Sequence, residues 1–406
     1  MGSRWRLCRL TDAAHPLRVK LHYATLPLLS KPDPLRWAPV WAAPVSGADR
    51  TRARKGENEI AERILARRTS VDVTFDGTDI TQDIKPYLRS ITYTDDADDM
   101  ADDLKIEVQD RDGVWLEKWL RSAVEAAAGG WLSIGAVIKP EHWKKDGALK
   151  TGAFELDSVD ASGPPASVTI SGASLAFSKS LRQTKKSKTW ENYTLSGIAA
   201  EIAAGGGMGS LYESSTNPSY RRMEQAKQSD IDFLKKLCQD AGISIKATDG
   251  KIVLYDQAEY EAKDPVLAIE KGEKGGYIKY KLSSGSADTR YSKCRVRYMD
   301  PGTGKCIEGT AEDGDVSGDQ CLEITAKVAS TGEAQALAKK RLRLHNKLAK
   351  TATFTLPGDV GLVAGVTVQL KGWGGWDGKY IVTRATHTVG GGGYTTQIKI
   401  RKVLNY

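Results

Sequence analysis

Five cysteines and five histidines are all that 406 residues supply in redox or imidazole side chains, and neither set is clustered. Cys8, Cys238, Cys294, Cys306 and Cys321 form no CxxC pair and no zinc-ribbon spacing. An odd count also leaves no complete set of disulfides, so reduced thiols are expected. His15, His22, His142, His345 and His387 stand singly, with no HExxH and no nucleophile elbow. No stretch approaches the roughly 20 apolar residues that cross a bilayer, and no apolar leader with a small-residue cleavage site opens the chain. Membrane insertion is therefore not expected, and synthesis and assembly in the cytoplasm are.

The body of the chain also lacks an excess of either charge. Residues 1–68 hold 14 Lys and Arg against 6 Asp and Glu, which accounts for the whole net charge of +8, and residues 69–406 balance at 45 against 45. Specific nucleic-acid readout is not expected of a neutral body. Hydrophobic residues at 40% and charged residues at 27% are enough to build packed cores over most of the length.

The remaining motif candidates have bland readings. Gly205-Gly206-Gly207-Met208-Gly209 follows a helix pattern rather than a strand and lacks GxGxxG spacing, so it reads as the end of a helix. In GWGGWDGK, Trp373 stands where a phosphate loop needs glycine and Tyr380 where it needs Ser or Thr, which leaves a hairpin turn. Asp96, Asp98, Asp102 and Glu107 have a trace of EF-hand spacing, but Met100 and Ala101 replace a ligand and the turn glycine. The run Asp95 to Asp103 reads as a solvated loop, and its paired carboxylates carry almost no specificity for glycoside hydrolysis. The basic cluster Arg182 to Lys188 has no interleaved aromatics and reads as a solvated linker. His387 falls in an alternating strand, where a polar-face position is expected. No catalytic, cofactor-binding or metal-ligating residue is assigned, and no cofactor.

Four segments follow from the patterning. Residues 1–67 form an N-terminal extension holding 6 of the 14 prolines and 3 of the 10 tryptophans without period; it is expected to be disordered, or translated from an upstream start with the authentic protein beginning near Leu65 to Arg68. Residues 68–188 alternate as strands, at Val71, Val73 and Phe75, at Leu104, Ile106 and Val108, and at Phe154 and Leu156. The turn Ser162-Gly163-Pro164-Pro165 leads on to Val168 and Ile170, and a short helix is expected around Trp115–Leu120. Residues 189–262 read as a small α/β module. It has one helix after Thr194, a second capped by Ser229 and Asp232 and stopped by Gly242, and two strands joined across Thr248-Asp249-Gly250. Residues 263–406 return to strands at Ser292–Tyr298, Val366–Leu370, Gly378–Val389 and Gly393–Arg401, with one helix across Glu333–Lys347. The fold class is mainly β with α+β.

ADDLKIEVQDRDGVW, LRQTKKSKTWENYTL, NPSYRRMEQAKQSDIDFLKKLCQDAGISIKATDGKIVLYD and the closing GWGGWDGKYIVTRATHTVGGGGYTTQIKIRKV occur in an order that resembles the phage late control D family. The resemblance covers about residues 68–406. It implies a non-enzymatic baseplate hub of a contractile phage tail or injection machine, similar to the N-terminal part of VgrG-type spike proteins. Two tail-tube-like β-barrel domains, 68–188 and 263–406, with the α/β module 189–262 between them, are implied in a homotrimer. Such a trimer joins a sixfold tail tube or tube-initiator protein to a threefold central spike protein, with a tape measure protein as a further partner. Residence in the virion baseplate or injection particle, after assembly in the bacterial host cytoplasm, goes with it. With no β-helix or lysozyme-like segment in view, the spike and any cell-wall cleavage are expected on separate proteins. The competing reading is a tail-associated peptidoglycan hydrolase or cell-wall-binding protein.

Overall fold

The computed structural model describes residues 66–404, apart from 98–101, 120–131, 144–145, 175–180, 182–183, 249, 273–275, 286–289 and 317. The expectations for residues 1–65, and for Leu120 at the end of the first short helix, lie outside the described residues.

Alternating residues build β1 (Arg68–Phe75), β2 (Thr78–Asp79), β3 (Leu88–Asp96), β4 (Asp103–Gln109), β5 (Ser133–Glu141), β6 (Leu149–Ser162) and β7 (Ser167–Ala173), with a single helical turn α1 (Thr81–Ile84) after β2. Leu104, Ile106 and Val108 are all buried while Asp103 and Lys105 are exposed, as a sheet with one wet face requires. The helix expected from Trp115 is a π-helical turn, Val114–Trp119. It buries the Trp115 ring edge-on against Tyr87, 5.9 Å between centroids.

The middle of the chain holds β8 (Lys186–Thr194), α2 (Leu195–Gly205), β9 (Gly209–Glu213), β10 (Ser219–Gln228), α3 (Asp230–Ala241), β11 (Ser244–Thr248), β12 (Lys251–Tyr255) and α4 (Gln257–Ala262). The Ser229 hydroxyl accepts from the Asp232 amide at 3.1 Å, and Gly242 closes α3 in the left-handed conformation at φ 66°, which glycine adopts without a Cβ penalty. Thr194 caps α2 by accepting from the Gly197 amide, and the glycine run follows that helix. Of the basic cluster, Lys186 and Lys188 lie in β8 rather than in a linker, paired antiparallel with β10, with Trp190 and Tyr193 packed in the module's core; Arg182 lies outside the described residues. Trp190 stacks on Phe233 with centroids 6.1 Å apart at 14°.

The last third contributes β13 (Leu267–Glu270), β14 (Lys279–Ser284), β15 (Lys293–Met299), β16 (Cys306–Glu312), β17 (Cys321–Thr325), α5 (Thr331–Asn346), β18 (Lys350–Pro357), β19 (Thr367–Lys371), β20 (Gly378–Gly390) and β21 (Gly393–Lys402). β15, β16 and β17 form their own three-stranded sheet under α5, with Cys294, Val296, Ala334, Ala338 and Leu342 at its core. Gly309 lies where α5 crosses β16: a Cβ there would meet the Gln335 amide nitrogen at 2.2 Å. Gly309→Ala should therefore lift the helix and destabilise the protein by about 1–3 kcal/mol, read as a lower urea midpoint.

β14-β18-β21-β20-β3-β4-β7-β6-β5-β1-β2 form one continuous sheet, with β19 pairing β13 and β20, 13 strands in all. The two β-rich segments thus share a sheet, joined by the antiparallel pair β20·β3, Arg384↔Asp96 to Gly390↔Ser90. The pairing path is open at both ends and closes no barrel among the described residues. The fold is mainly β with an α/β piece, and the segments interpenetrate: Tyr394 of β21 is buried in the same cluster as Val73, Leu104 and Phe154. His387 does not take the polar face of its strand. It is fully buried, because Tyr93 of β3 stacks against it across the join at 6.0 Å.

Candidate functional site: a charged seam between the sheet halves

β3 ends in Asp95 and Asp96, and β4 is entered through Asp102, so the acidic run flanks the join between the sheet halves. These three acids are not solvated: Asp95 is 5% exposed, Asp96 7% and Asp102 0%. Each has been brought a partner from far along the chain. Lys246 of β11 pairs with Asp95 across 151 residues of sequence and approaches the nearer Asp102 oxygen at 3.2 Å. The Thr248 hydroxyl donates to the other Asp102 oxygen at 2.8 Å, and the Asp96 amide donates to Asp102 at 3.0 Å. Arg384 of β20 pairs with Asp96 at 2.7 Å. The second Asp95 oxygen accepts from the Ala364 amide at 2.8 Å, in the loop that leads into β19.

Backbone groups complete the joint. The Ser174 hydroxyl donates to the Ala247 carbonyl at 2.9 Å, the Asp102 amide donates to Ser174 at 2.7 Å, and the Tyr255 hydroxyl donates to the Ala97 carbonyl. Asp95, Asp96, Ala97 and Asp102 therefore tie together the first sheet half, the α/β module and the second sheet half. Each bond is local in space and remote in sequence, which is why a one-dimensional reading sees only surplus carboxylates.

Burial pushes the Asp102 carboxyl up to about 6, helped by the neighbouring Asp95 charge and held back by Lys246. Burial alone would lower Lys246, but Asp95 and Asp102 outweigh it and hold the ammonium above its ordinary value. His387 is pushed down to about 4 by burial, against the opposing pull of its hydrogen bond to the Leu362 carbonyl and of Asp95 and Asp359. Its other ring nitrogen lies 2.9 Å from the Tyr394 hydroxyl.

The two shifts act in opposite directions on stability. A carboxyl whose folded value is raised stabilises most below its unfolded value of 3.8 and loses that contribution as pH rises through 6. A histidine held low contributes above 6.5 and loses its contribution as pH falls toward 4. Asp102→Asn removes the first effect alone. The stability of the native sequence relative to that variant should fall by about 3 kcal/mol between pH 4 and pH 7, measured by urea unfolding at each pH.

A second buried ionic node sits where α4, α5 and β21 meet. Glu261, 4% exposed, is gripped by Arg401 at 2.5 Å and by Arg343, and Arg401 also donates to Gln257 at 2.9 Å. Neither node was legible from spacing, since its members lie on different elements. Among the described residues no three His, Cys, Asp or Glu side chains are placed to hold a metal ion. His142 is exposed, and His345 packs edge-on to Tyr291 at 5.5 Å. His15 and His22 lie outside the described residues. GWGGWDGK forms the turn between β19 and β20, with the Trp373 amide donating to Asp377 at 2.6 Å. These buried carboxylates are held by fixed cations and amides, an arrangement that locks segments together.

The chain is similar in sequence to the "Probable baseplate hub protein" of Escherichia phage P2, 32% identical over 184 residues. That match takes in 44% of this chain and 43% of the relative, so it spans less than half of the relative's length. In fold it is similar to the 43 kDa tail protein of prophage MuSo2 from Shewanella oneidensis, with a TM-score of 0.60 at 14% identity, covering 82% of this chain and 98% of that one. It is likewise similar to a tail protein from Neisseria meningitidis MC58, with a TM-score of 0.60 at 13% identity over 82% and 97% of the two chains. At such identities these structures speak for the fold alone. The model of the phage tail baseplate hub (GPD) family matches residues 143–393, well over half of the sequence, and the chain belongs to that family.

Proposed function

We propose that this hub acts as a homotrimeric ring that joins a sixfold tail tube to a threefold central spike. The relatives from Escherichia phages P2 and 186 bear the description "Probable baseplate hub protein". The observation that carries the proposal is the single sheet that runs through both β-rich halves and, along its main path, is left open at both ends among the described residues. Among the described residues, at one end is β14, which pairs only with β18, and at the other is β1, covered on its outer side only at Thr74 and Phe75 by β2. Open edges of this kind are templates for pairing with another chain.

The amide directions at β14 can be read from its ladder. The Gly285 amide donates inward to the Ala349 carbonyl at 2.9 Å, so by alternation the amides of Tyr280, Leu282 and Ser284 face the open edge. Ile278 and Tyr280 are 58% and 48% exposed there, large apolar side chains at an edge that nothing described covers. Laying β14 of one copy against β1 of the next is a head-to-tail contact, and such a contact repeats until a ring closes. Three copies carry six sheet halves, each folding as a tube-like barrel wall in the ring, which reconciles a sixfold neighbour with a threefold one.

Ser284 is exposed, and its amide is not used by β18, so proline there removes an outward donor without breaking the internal ladder. Ser284→Pro should lower the solution mass from trimer to monomer with little change in thermal midpoint. A variant that stays trimeric contradicts edge pairing through β14.

A further inference from the structure

Beyond the ring contact, a cleft of about 290 Å³ opens between the end of α3, the start and body of α4, the C-terminal half of α5 and the end of β21. Lys339, Lys340, Arg343, Lys347 and Arg401 line it, against only two carboxylates, Asp256 and Glu261. Both carboxylates are already engaged: Asp256 caps α4 by accepting from the Ala258 amide at 2.9 Å, and Glu261 is shared by two guanidinium groups. Arg401, 2% exposed, has a buried Nη1 with no hydrogen-bond partner among the described residues. An unmet buried donor is costly, and a buried guanidinium short of acceptors is suited to a carboxylate. Leu344, 37% exposed, adds an apolar wall.

We propose that this cleft is a docking site for an acidic, leucine-bearing segment of a partner protein. Carboxylates of the segment neutralise the basic rim of the cleft, while a leucine covers Leu344. A nucleic acid suits the cleft less well: no aromatic side chain lines it for base stacking, and its volume admits a few side chains rather than a polynucleotide. The cleft is lined from α3, α4, α5 and β21, not from β14 or β1.

The test uses the full chain and a fluorescein-labelled peptide, Glu-Asp-Leu-Glu-Glu-Leu-Asp, in fluorescence polarisation at low salt. The peptide should bind, and its Gln/Asn counterpart and an oligothymidylate of similar length should bind about tenfold more weakly or not at all. Lys339 is exposed on α5, so Lys339→Glu should weaken the acidic peptide about tenfold while leaving the thermal midpoint unchanged. Leu344→Ala should weaken the same peptide yet leave an alanine-substituted version unaffected. Failure of the peptide to bind, equal binding by the neutral peptide or the oligothymidylate, or unchanged affinity in Lys339→Glu overturns the proposal.

Discussion

Replacing Lys246 by methionine is expected to destabilise the protein by about 3–5 kcal/mol, because it removes a cation that faces both Asp95 and Asp102 and leaves two buried carboxyls without it. Methionine keeps most of the side-chain volume, so the loss is electrostatic rather than a cavity. The cost should shrink at acid pH, where Asp102, raised to about 6, takes up a proton and only one charge is left uncompensated. Adding Asp95→Asn and Asp102→Asn to Lys246→Met should restore most of the stability, since a neutral cluster has no charge to desolvate. Urea unfolding at pH 5 and pH 8 for the three proteins checks all of this. If the single variant unfolds at the native midpoint at both values, the seam is not held by these charges.

Glu261→Leu should be of similar size, about 3–5 kcal/mol, for the mirror-image reason. Arg401 is buried to 2% and its guanidinium keeps only Gln257 once the carboxylate is gone. Arg343 loses the same acceptor. The expected readout is a large fall in the denaturant midpoint. Glu261→Gln, which keeps an acceptor but not the charge, should fall between the native protein and Glu261→Leu.

Local structure was well marked in the sequence wherever a short-range physical cause sets it. Ser229 and Gly242 bracket α3 because a hydroxyl cap and a left-handed stop act within one turn. The helix expected across Glu333–Lys347 runs Thr331–Asn346, its start set by Ser330 accepting from the Glu333 amide at 3.2 Å. Alternation at Leu104, Ile106 and Val108 placed a strand correctly because burial on one face is enough to write that pattern.

What could not be read is what depends on distant pairing. Asp95, Asp96 and Asp102 look like solvated acids until Lys246 and Arg384 arrive, the latter 288 positions from its partner. His387 reads as polar-face because alternation ignores what covers the other side, and the cover is Tyr93 from a strand almost three hundred residues earlier. The separate small sheet under α5 was hidden for the same reason: β15, β16 and β17 have ordinary strand patterns, and nothing local says they leave the main sheet. Sharing of one sheet by both halves is decided by the β20·β3 pair, which no local signal announces.

The most direct test of the account is imaging of the purified protein, together with its mass in solution across a wide concentration range. A threefold ring with a central channel, held together at micromolar concentration and lost in Ser284→Pro, is predicted. A monomer that persists at high concentration, with the outer edges of β1 and β14 both unfilled, would contradict it.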